Sequence, residues 1–313
     1  MHRTHGTVVS STGSAYEVLT DGGERLVCKV KGNFRLRGIR STNPVAVGDG
    51  VSIIEGEGET AFISEIDARR NYIVRRASNL SKQSHVLAAN VDMLLLVITL
   101  SKPTTTTTFI DRVLASAEAY RVPATLVLNK ADLLTPDERA AADALRSIYE
   151  AMDYGWLETS ATEGTGLDAL ADAVKGKVAL LAGHSGVGKS TLLNALIPDA
   201  QARTQAISEV HGTGMHTTTS SRLYALPAGG GLIDVPGVKG FGSFDMKPEE
   251  ISHYFRDIFS LSADCRFANC THTHEPACAV VAALESGQLA PSRYASYLSM
   301  LEDQDESKYR EAF

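Results

Sequence analysis

Residues Gly183, His184, Ser185, Gly186, Val187, Gly188, Lys189 and Ser190 run consecutively and match GxxxxGK[ST], with Thr191 next in line. Residue types at this spacing serve phosphate binding. Glycines let the backbone curl so that its N–H groups face phosphate oxygens, Lys189 neutralises the outer phosphates, and the Ser190 hydroxyl reaches Mg2+. The pattern needs a strand before it and a helix after it. The apolar run Val178–Ala182 and the helically spaced Leu192, Leu193 and Leu196 supply both.

A phosphate loop alone does not choose a base. Asn129-Lys130-Ala131-Asp132, directly after the apolar run Ala124–Leu128, matches NKxD and does. The Asp132 carboxylate can accept hydrogen bonds from both the guanine N1–H and the exocyclic amine. Adenine offers no such donor pair, and an unpaired buried carboxylate costs several kcal/mol, about 10³-fold or more in preference. Guanine is the expected base, which counts against an adenine-using enzyme such as a kinase. Alone, the four residues could begin a surface helix capped by Asp132, but the phosphate loop in the same chain argues otherwise. Thr159-Ser160-Ala161 offers a companion loop, with Ser160 and the backbone N–H groups near Ala161 expected to meet the guanine carbonyl.

Asp234-Val235-Pro236-Gly237 matches DxxG, in which the carboxylate holds a Mg2+ water and the Gly237 N–H senses a γ-phosphate. Thr217-Thr218-Thr219 lies upstream, where a hydroxyl could clamp Mg2+ while the γ-phosphate is present. Thr218 is the expected ligand and Thr217 the alternative. Ras-like enzymes place a water-orienting Gln after DxxG, but this chain has Val238. A hydrophobic side chain cannot orient water, so slow intrinsic turnover and a partner that completes the site are expected. His216 is the candidate replacement.

Cys265-x4-Cys270-x-His272-x5-Cys278 brings three thiols and an imidazole within fourteen residues, enough for a closed, structural Zn2+ site, with His274 as a spare ligand. Cys28 sits alone. Such a cluster suits a reducing compartment better than a disulfide framework.

These residues must be positioned by a chain of 313 residues, long enough for two or three domains. Short β-rich runs, including Arg25–Val30, Gly50–Ile54 and Ala61–Ile66, fill the first 70 residues; a five-stranded OB barrel fits the length, and a β-sandwich fits the periodicity nearly as well. From about residue 75 strands alternate with helices: strand Met93–Ile98, a helix near 110–120, strand Ala124–Leu128 and a helix near 136–151, pointing to a parallel sheet covered on both faces. Two β runs between Leu223 and Ile233 flank Gly229-Gly230-Gly231 as a hairpin, and beyond about residue 244 the chain turns helical. Thr104–Thr108 reads as an exposed loop without chemistry.

The longest largely apolar stretch, Met93–Leu100, is far short of the ~20 residues that cross a bilayer, and the N-terminus lacks an apolar signal core, so a cytoplasmic protein with no membrane role is expected. Net charge is −7, so any nucleic-acid contact must come from a local basic patch. Two acid-free stretches qualify. Arg25, Lys29, Lys31, Arg35, Arg37 and Arg40 form one, with Phe34 available for stacking; Arg69, Arg70, Arg75, Arg76 and Lys82 form the other.

Ordinary GTPases run phosphate loop, switch threonine, DxxG, NKxD, SA. Here the base readers at 129–161 precede the phosphate readers at 183–237, a circular permutation that needs only a short join, expected around 171–176. The order NKAD, TSA, GHSGVGKS, HTTT, DVPG, with a β-barrel ahead and the Cys/His segment behind, resembles the ribosome small-subunit-dependent GTPase A (RsgA) family over nearly the whole chain. The resemblance implies an OB-fold domain over 1–70, a permuted α/β P-loop GTPase domain over 71–243 and a mostly α zinc domain over 244–313. It points to His272 rather than His274 as the fourth zinc ligand. It also implies GTP hydrolysis to GDP stimulated by the small (30S) ribosomal subunit, contact with rRNA, and a role in late maturation of that subunit. A monomer is expected. Since Gly237 leads directly toward the C-terminal region, GTP is further expected to fix the orientation of the flanking domains.

Overall fold

The computed structural model describes residues 3–12, 15–30, 44–55, 61–76, 84–200, 221–235 and 246–303. β1 (Arg3–Ser11), β2 (Tyr16–Thr20), β3 (Arg25–Val30), β4 (Gly50–Glu55) and β5 (Ala61–Ile66) pair in the order β1-β2-β3-β5-β4, and β4 returns to β1. Five strands thus close a barrel with no open edge, and β3 runs parallel to β5. Val8, Val18, Cys28, Val51, Ile53 and Ile63 alternate inward to form its core. Gly6 marks a close crossing, because a Cβ there would lie 2.5 Å from the Leu19 carbonyl oxygen. The expected barrel is present and the sandwich alternative is not. β6 (Tyr72–Arg76) and β7 (Ser84–Ala89) form a separate antiparallel hairpin that sequence periodicity did not announce.

The nucleotide-motif region is built on β8 (Met93–Ile98), β9 (Ala124–Leu128), β10 (Gly155–Glu158), β11 (Val178–Ala182), β12 (Arg222–Ala225) and β13 (Gly231–Asp234). β10-β9-β8-β11-β13 are parallel, β12 is antiparallel beside β13, and a Ser10–Arg222 bridge joins β12 to the barrel. β8 is apolar on both faces because both are covered. Leu94, Leu96 and Ile98 face a core shared with α1 (Thr107–Ala119) and α2 (Pro136–Glu150), while Leu95 and Val97 face α3 (Leu167–Val174) and α4 (Lys189–Leu196). α2 begins where its sequence dictates, at a Thr135/Glu138 capping box with Pro136 in the first turn. The segment 171–176, expected as the permutation join, is mostly helix: α3 runs to Val174, and the Lys177 N–H bonds to the Val174 carbonyl before β11 starts.

Register places the motifs. Leu128 pairs with Ile98 and with Glu158, Ala182 pairs with Leu96, and Asp234 pairs with Leu181. The segments after β9, β10 and β11 and the last residue of β13 therefore share one carboxyl edge of the parallel sheet, where open α/β sheets bind ligands.

α5 (Pro248–Ile251), α6 (Arg256–Ser262), α7 (Ala279–Glu285) and α8 (Pro291–Asp303) form the C-terminal bundle, whose core of Phe255, Ile258, Val280 and Tyr297 takes in Ala115 of α1. The fully buried Arg293 of α8 pairs with Asp111 of α1 at 2.6 Å and with Asp257 of α6 at 2.9 Å. Arg256 pairs with Glu118 at 2.8 Å. No helix among the described residues is long and apolar enough to cross a membrane.

Candidate nucleotide site and metal cluster

The Gly183–Ser190 loop opens α4, as the motif requires. Two of its glycines are forced by their surroundings. Gly183 has φ +144° and a Cβ there would lie 2.5 Å from the Val97 carbonyl oxygen; Gly188 has φ +95° and a Cβ there would lie 2.4 Å from Asn129 Nδ2.

That second neighbour belongs to the other motif. Asn129 Nδ2 donates to the Val187 carbonyl at 2.9 Å, and Lys130 Nζ donates to the Gly186 carbonyl at 2.8 Å and the Lys102 carbonyl at 2.6 Å. On its other side Asn129 Oδ1 accepts from Thr159 Oγ1 at 3.1 Å and from the Ala161 N–H at 3.3 Å. One buried amide thus ties three separate loops together. Ala161, whose N–H was expected to meet a guanine carbonyl, spends that donor on Asn129 here, over a long distance. Asp132 lies exposed in a short 3-10 turn, held by the Ala131 N–H bond to the Thr159 carbonyl at 3.1 Å. Ser160 is buried and shapes its own loop, accepting from the Glu163 N–H at 3.1 Å.

Lys189 Nζ donates to the Gly183 carbonyl at 2.7 Å and the His184 carbonyl at 2.9 Å. Burial pulls its ammonium below the usual lysine range, opposed by Asp234. Burial likewise raises the Asp234 carboxyl, opposed by Lys189. The two charges therefore sense one another at the sheet edge where Ser190 and Thr191 begin α4. Asp234 and Ser190 are oxygen donors, the class that suits Mg2+. His216, Thr217, Thr218, Gly237 and Val238 lie outside the described residues.

Sequence reasoning missed one wall of this site. Thr104–Thr108 is not an exposed loop. Thr105 is buried, Thr106 caps α1 by accepting from the Phe109 N–H, and Thr107 and Thr108 are helical. Thr105 Oγ1 lies 2.7 Å from His184 Nε2, and the Phe109 ring meets the His184 ring edge-on, centroids 5.5 Å apart. A run of identical threonines gives no sign of which one turns inward.

The second constellation also assembles. One ligand atom from each of Cys265, Cys270, His272 and Cys278 lies within 4.8 Å of the others. Cys265 Sγ is 3.9 Å from Cys278 Sγ, and His272 Nδ1 is 3.6 Å and 3.5 Å from these two sulfurs. A tetrahedron with ~2.3 Å Zn–S bonds has sulfurs about 3.8 Å apart, so the donor set fits Zn2+. Tyr294 Oη donates to the His272 carbonyl and Tyr297 Oη to the Thr271 carbonyl, both at 2.7 Å, so α8 fixes the ligand loop. His274 stays outside, exposed and bonded to Thr273.

The basic stretches fare differently. Arg69, a member of the second acid-free stretch, is buried against the fully buried Asp49, with Nε and Nη2 donating at 2.7 Å each. It is a structural ion pair. Arg70 pairs with Asp92 and Arg25 with Glu17. Acid-free in sequence did not mean acid-free in space. Lys29 is exposed on β3, and Lys31, Phe34, Arg35, Arg37, Arg40 and Lys82 lie outside the described residues.

Comparison with known proteins follows the same lines. The RsgA GTPase family model matches residues 66–244, and the RsgA N-terminal domain model matches residues 5–63. The chain belongs to the RsgA GTPase family. Among its relatives is the small ribosomal subunit biogenesis GTPase RsgA 2 of Bacteroides thetaiotaomicron, 57% identical over 98% of this chain and 99% of the relative. The small ribosomal subunit biogenesis GTPase RsgA of Porphyromonas gingivalis is 56% identical over 97% and 98%. YjeQ from Thermotoga maritima superposes with a TM-score of 0.76 at 35% identity, over 96% of this chain and 98% of that one. YloQ, described as a circularly permuted GTPase, superposes with a TM-score of 0.71 at 26% identity, over 96% and 95%. The chain is thus a GTP-hydrolysing enzyme with a permuted motif order.

Proposed function

We propose that this GTPase binds one Mg2+–GTP across the carboxyl edge of its parallel sheet and hydrolyses it to GDP and phosphate when engaged by the small ribosomal subunit, late in that particle's maturation. The observation that supports the reading most is the Asn129–Val187 hydrogen bond, which joins the Asn129–Asp132 segment directly to the Gly183–Ser190 loop.

In this reading Asp132 reads the guanine N1–H and amine, Asn129 and Lys130 frame the base, and the loop at Ser160 and Ala161 faces its carbonyl. Backbone N–H groups of Gly183–Thr191 cradle the phosphates. Lys189 leaves the Gly183 and His184 carbonyls to take phosphate oxygens. Ser190 and Thr218 supply hydroxyls to Mg2+ and Asp234 holds one of its waters; the bound ion neutralises charge on the outer phosphates. Gly237 senses the γ-phosphate, and His216 orients the attacking water in the place of the Gln that Val238 replaces.

Cys265, Cys270, His272 and Cys278 hold a single Zn2+ whose role is structural, since four protein donors leave no open coordination position. Three functional units, 1–70, 71–243 and 244–313, divide the work. The barrel and the zinc unit dock on rRNA, and the central unit hydrolyses GTP. The names of the relatives support the small-subunit assignment. A cytoplasmic monomer suits an assembly factor that binds and leaves a ribosomal particle.

GTPase rates measured alone, with 30S and with 50S particles test this. Strong acceleration by 30S only is expected; equal rates in all three would overturn the partner assignment.

A further inference from the structure

We infer that His184 is a positioning residue of the phosphate loop, acting through its side-chain hydrogen bond to Thr105 at the head of α1. The inference rests on the reading of Gly183–Ser190 as the phosphate cradle.

The hydrogen bonds around His184 define one proton arrangement. Its Nδ1 lies 3.1 Å from the Ser185 carbonyl, which can only accept, so Nδ1 carries the proton. Nε2 is then an acceptor, and the Thr105 hydroxyl donates to it at 2.7 Å. The same Thr105 oxygen accepts from the Thr99 N–H at 3.0 Å, and the Thr105 N–H donates to the Thr99 carbonyl at 2.8 Å. The segment 99–105 is thereby closed on itself and cannot follow a drifting phosphate loop. Two further contacts brace the loop from this side: Lys130 Nζ bridges the Lys102 and Gly186 carbonyls, and Gly186 lies against Pro103. Phe109, one turn into α1, closes the pocket around the imidazole.

His184 immediately follows Gly183, whose left-handed-side φ a glycine alone tolerates, and precedes Ser185, whose carbonyl its own ring holds. The imidazole therefore sets the orientation of the peptide units that open the cradle. Partial burial lowers the His184 pKa, the Ser185 carbonyl bond opposes this, and the Lys189 and Lys130 cations add to the lowering, so the balance is toward the neutral ring that this network requires. The motif pattern leaves this position open to any residue, so nothing in GxxxxGK[ST] assigns it a role.

Steady-state kinetics on the full chain with four variants tests the inference: His184→Ala, His184→Gln, Thr105→Val and the double variant His184→Ala/Thr105→Val. A glutamine amide reaches as far as Nε2 and keeps a partner for Thr105, whereas valine keeps the shape of Thr105 and deletes its hydroxyl. Loss of the shared His184–Thr105 hydrogen bond predicts a rise in KM for GTP of about 5- to 10-fold in His184→Ala and Thr105→Val, and each variant also loses a second bond, to the Ser185 carbonyl in the first and from the Thr99 N–H in the second. kcat should fall by a smaller factor than KM rises. The double variant should raise KM by clearly less than the product of the two single effects, because the bond between the two side chains is counted in both, and His184→Gln should return KM to within about threefold of the unaltered chain. A fall in kcat with unchanged KM, additive single effects, or a glutamine variant as poor as alanine would overturn the inference. Lys189→Ala separates it from the underlying reading. If that variant binds GTP as tightly as the unaltered chain, the cradle assignment itself fails; if it does not and the His184 variants behave normally, only the positioning role fails.

Discussion

Asn129 Nδ2 lies 2.9 Å from the carbonyl oxygen of Val187, a residue 58 positions further along the chain. A polar group so buried is retained because it is paired on both ends: the amide donates to one motif and its oxygen accepts from the segment that follows β10. Permuting the order of the motifs leaves this junction intact, since it depends on strand register at one sheet edge and not on which strand comes first.

Replacing Asn129 with alanine should therefore damage nucleotide binding more than folding. It leaves the Val187 carbonyl, the Thr159 hydroxyl and the Ala161 N–H without this partner, and a loss at the nucleotide equal to one unpaired group is about 1–3 kcal/mol. The dissociation constant for a fluorescent GDP should rise by about 5- to 150-fold, with an unchanged circular dichroism spectrum. An affinity within twofold of the original would mean the junction does not shape the site.

The Arg293–Asp111 pair makes a second expectation. Arg293→Met strands a buried carboxylate on α1, and breaking such a pair costs about 3–5 kcal/mol. Hydrogen exchange over α8 should accelerate accordingly. Adding Asp111→Asn should recover part of the loss, because it removes the uncompensated charge; a double variant worse than the single one would contradict this account.

Zinc should be countable. Plasma emission on the purified chain is expected to give one Zn2+ per molecule and Cys278→Ala close to none, with His274→Ala retaining the metal because that ring lies outside the cluster. Metal loss should expose the 265–278 segment to protease, since the donors that organise it come from that loop. Zinc retained in Cys278→Ala but lost in His274→Ala would reassign the ligands.

Much of this architecture is legible in the sequence because its strongest signals are local. Val178–Ala182 is a strand, the glycines after it bend, and Leu192 and Leu193 mark the helix face. NKAD and the Cys/His spacing are equally local. What stayed hidden depends on partners brought in by the fold. Arg69 reads as a surface cation until Asp49, twenty residues earlier, is folded beneath it. Thr105 reads as one of five equivalent threonines until β8 and the phosphate loop put Thr99 and His184 beside it.

The barrel should respond to pH through His5. Hydrogen bonds to Asp67 and then Asp21 raise its pKa above the ordinary value. A raised folded pKa contributes stability that is fully present below the unfolded value near 6.5 and is lost as pH rises through the folded value. His5→Asn should accordingly lower the barrel's unfolding midpoint at pH 6 and have little effect at pH 9. Equal shifts at both pH values would show that the pair acts without its charge.

Guanine recognition by Asp132 is tested most directly by Asp132→Asn. An asparagine presents one donor and one acceptor in place of two acceptors, which mismatches the guanine amine and matches the carbonyl that xanthine carries there. Dissociation constants for GTP and XTP, measured on the original chain and the variant, should cross over: GTP binding falls by about 100-fold or more and XTP becomes the tighter ligand. A variant that still prefers GTP as the original does would contradict the claim that residues 129–132 and 183–190 enclose a single guanine nucleotide.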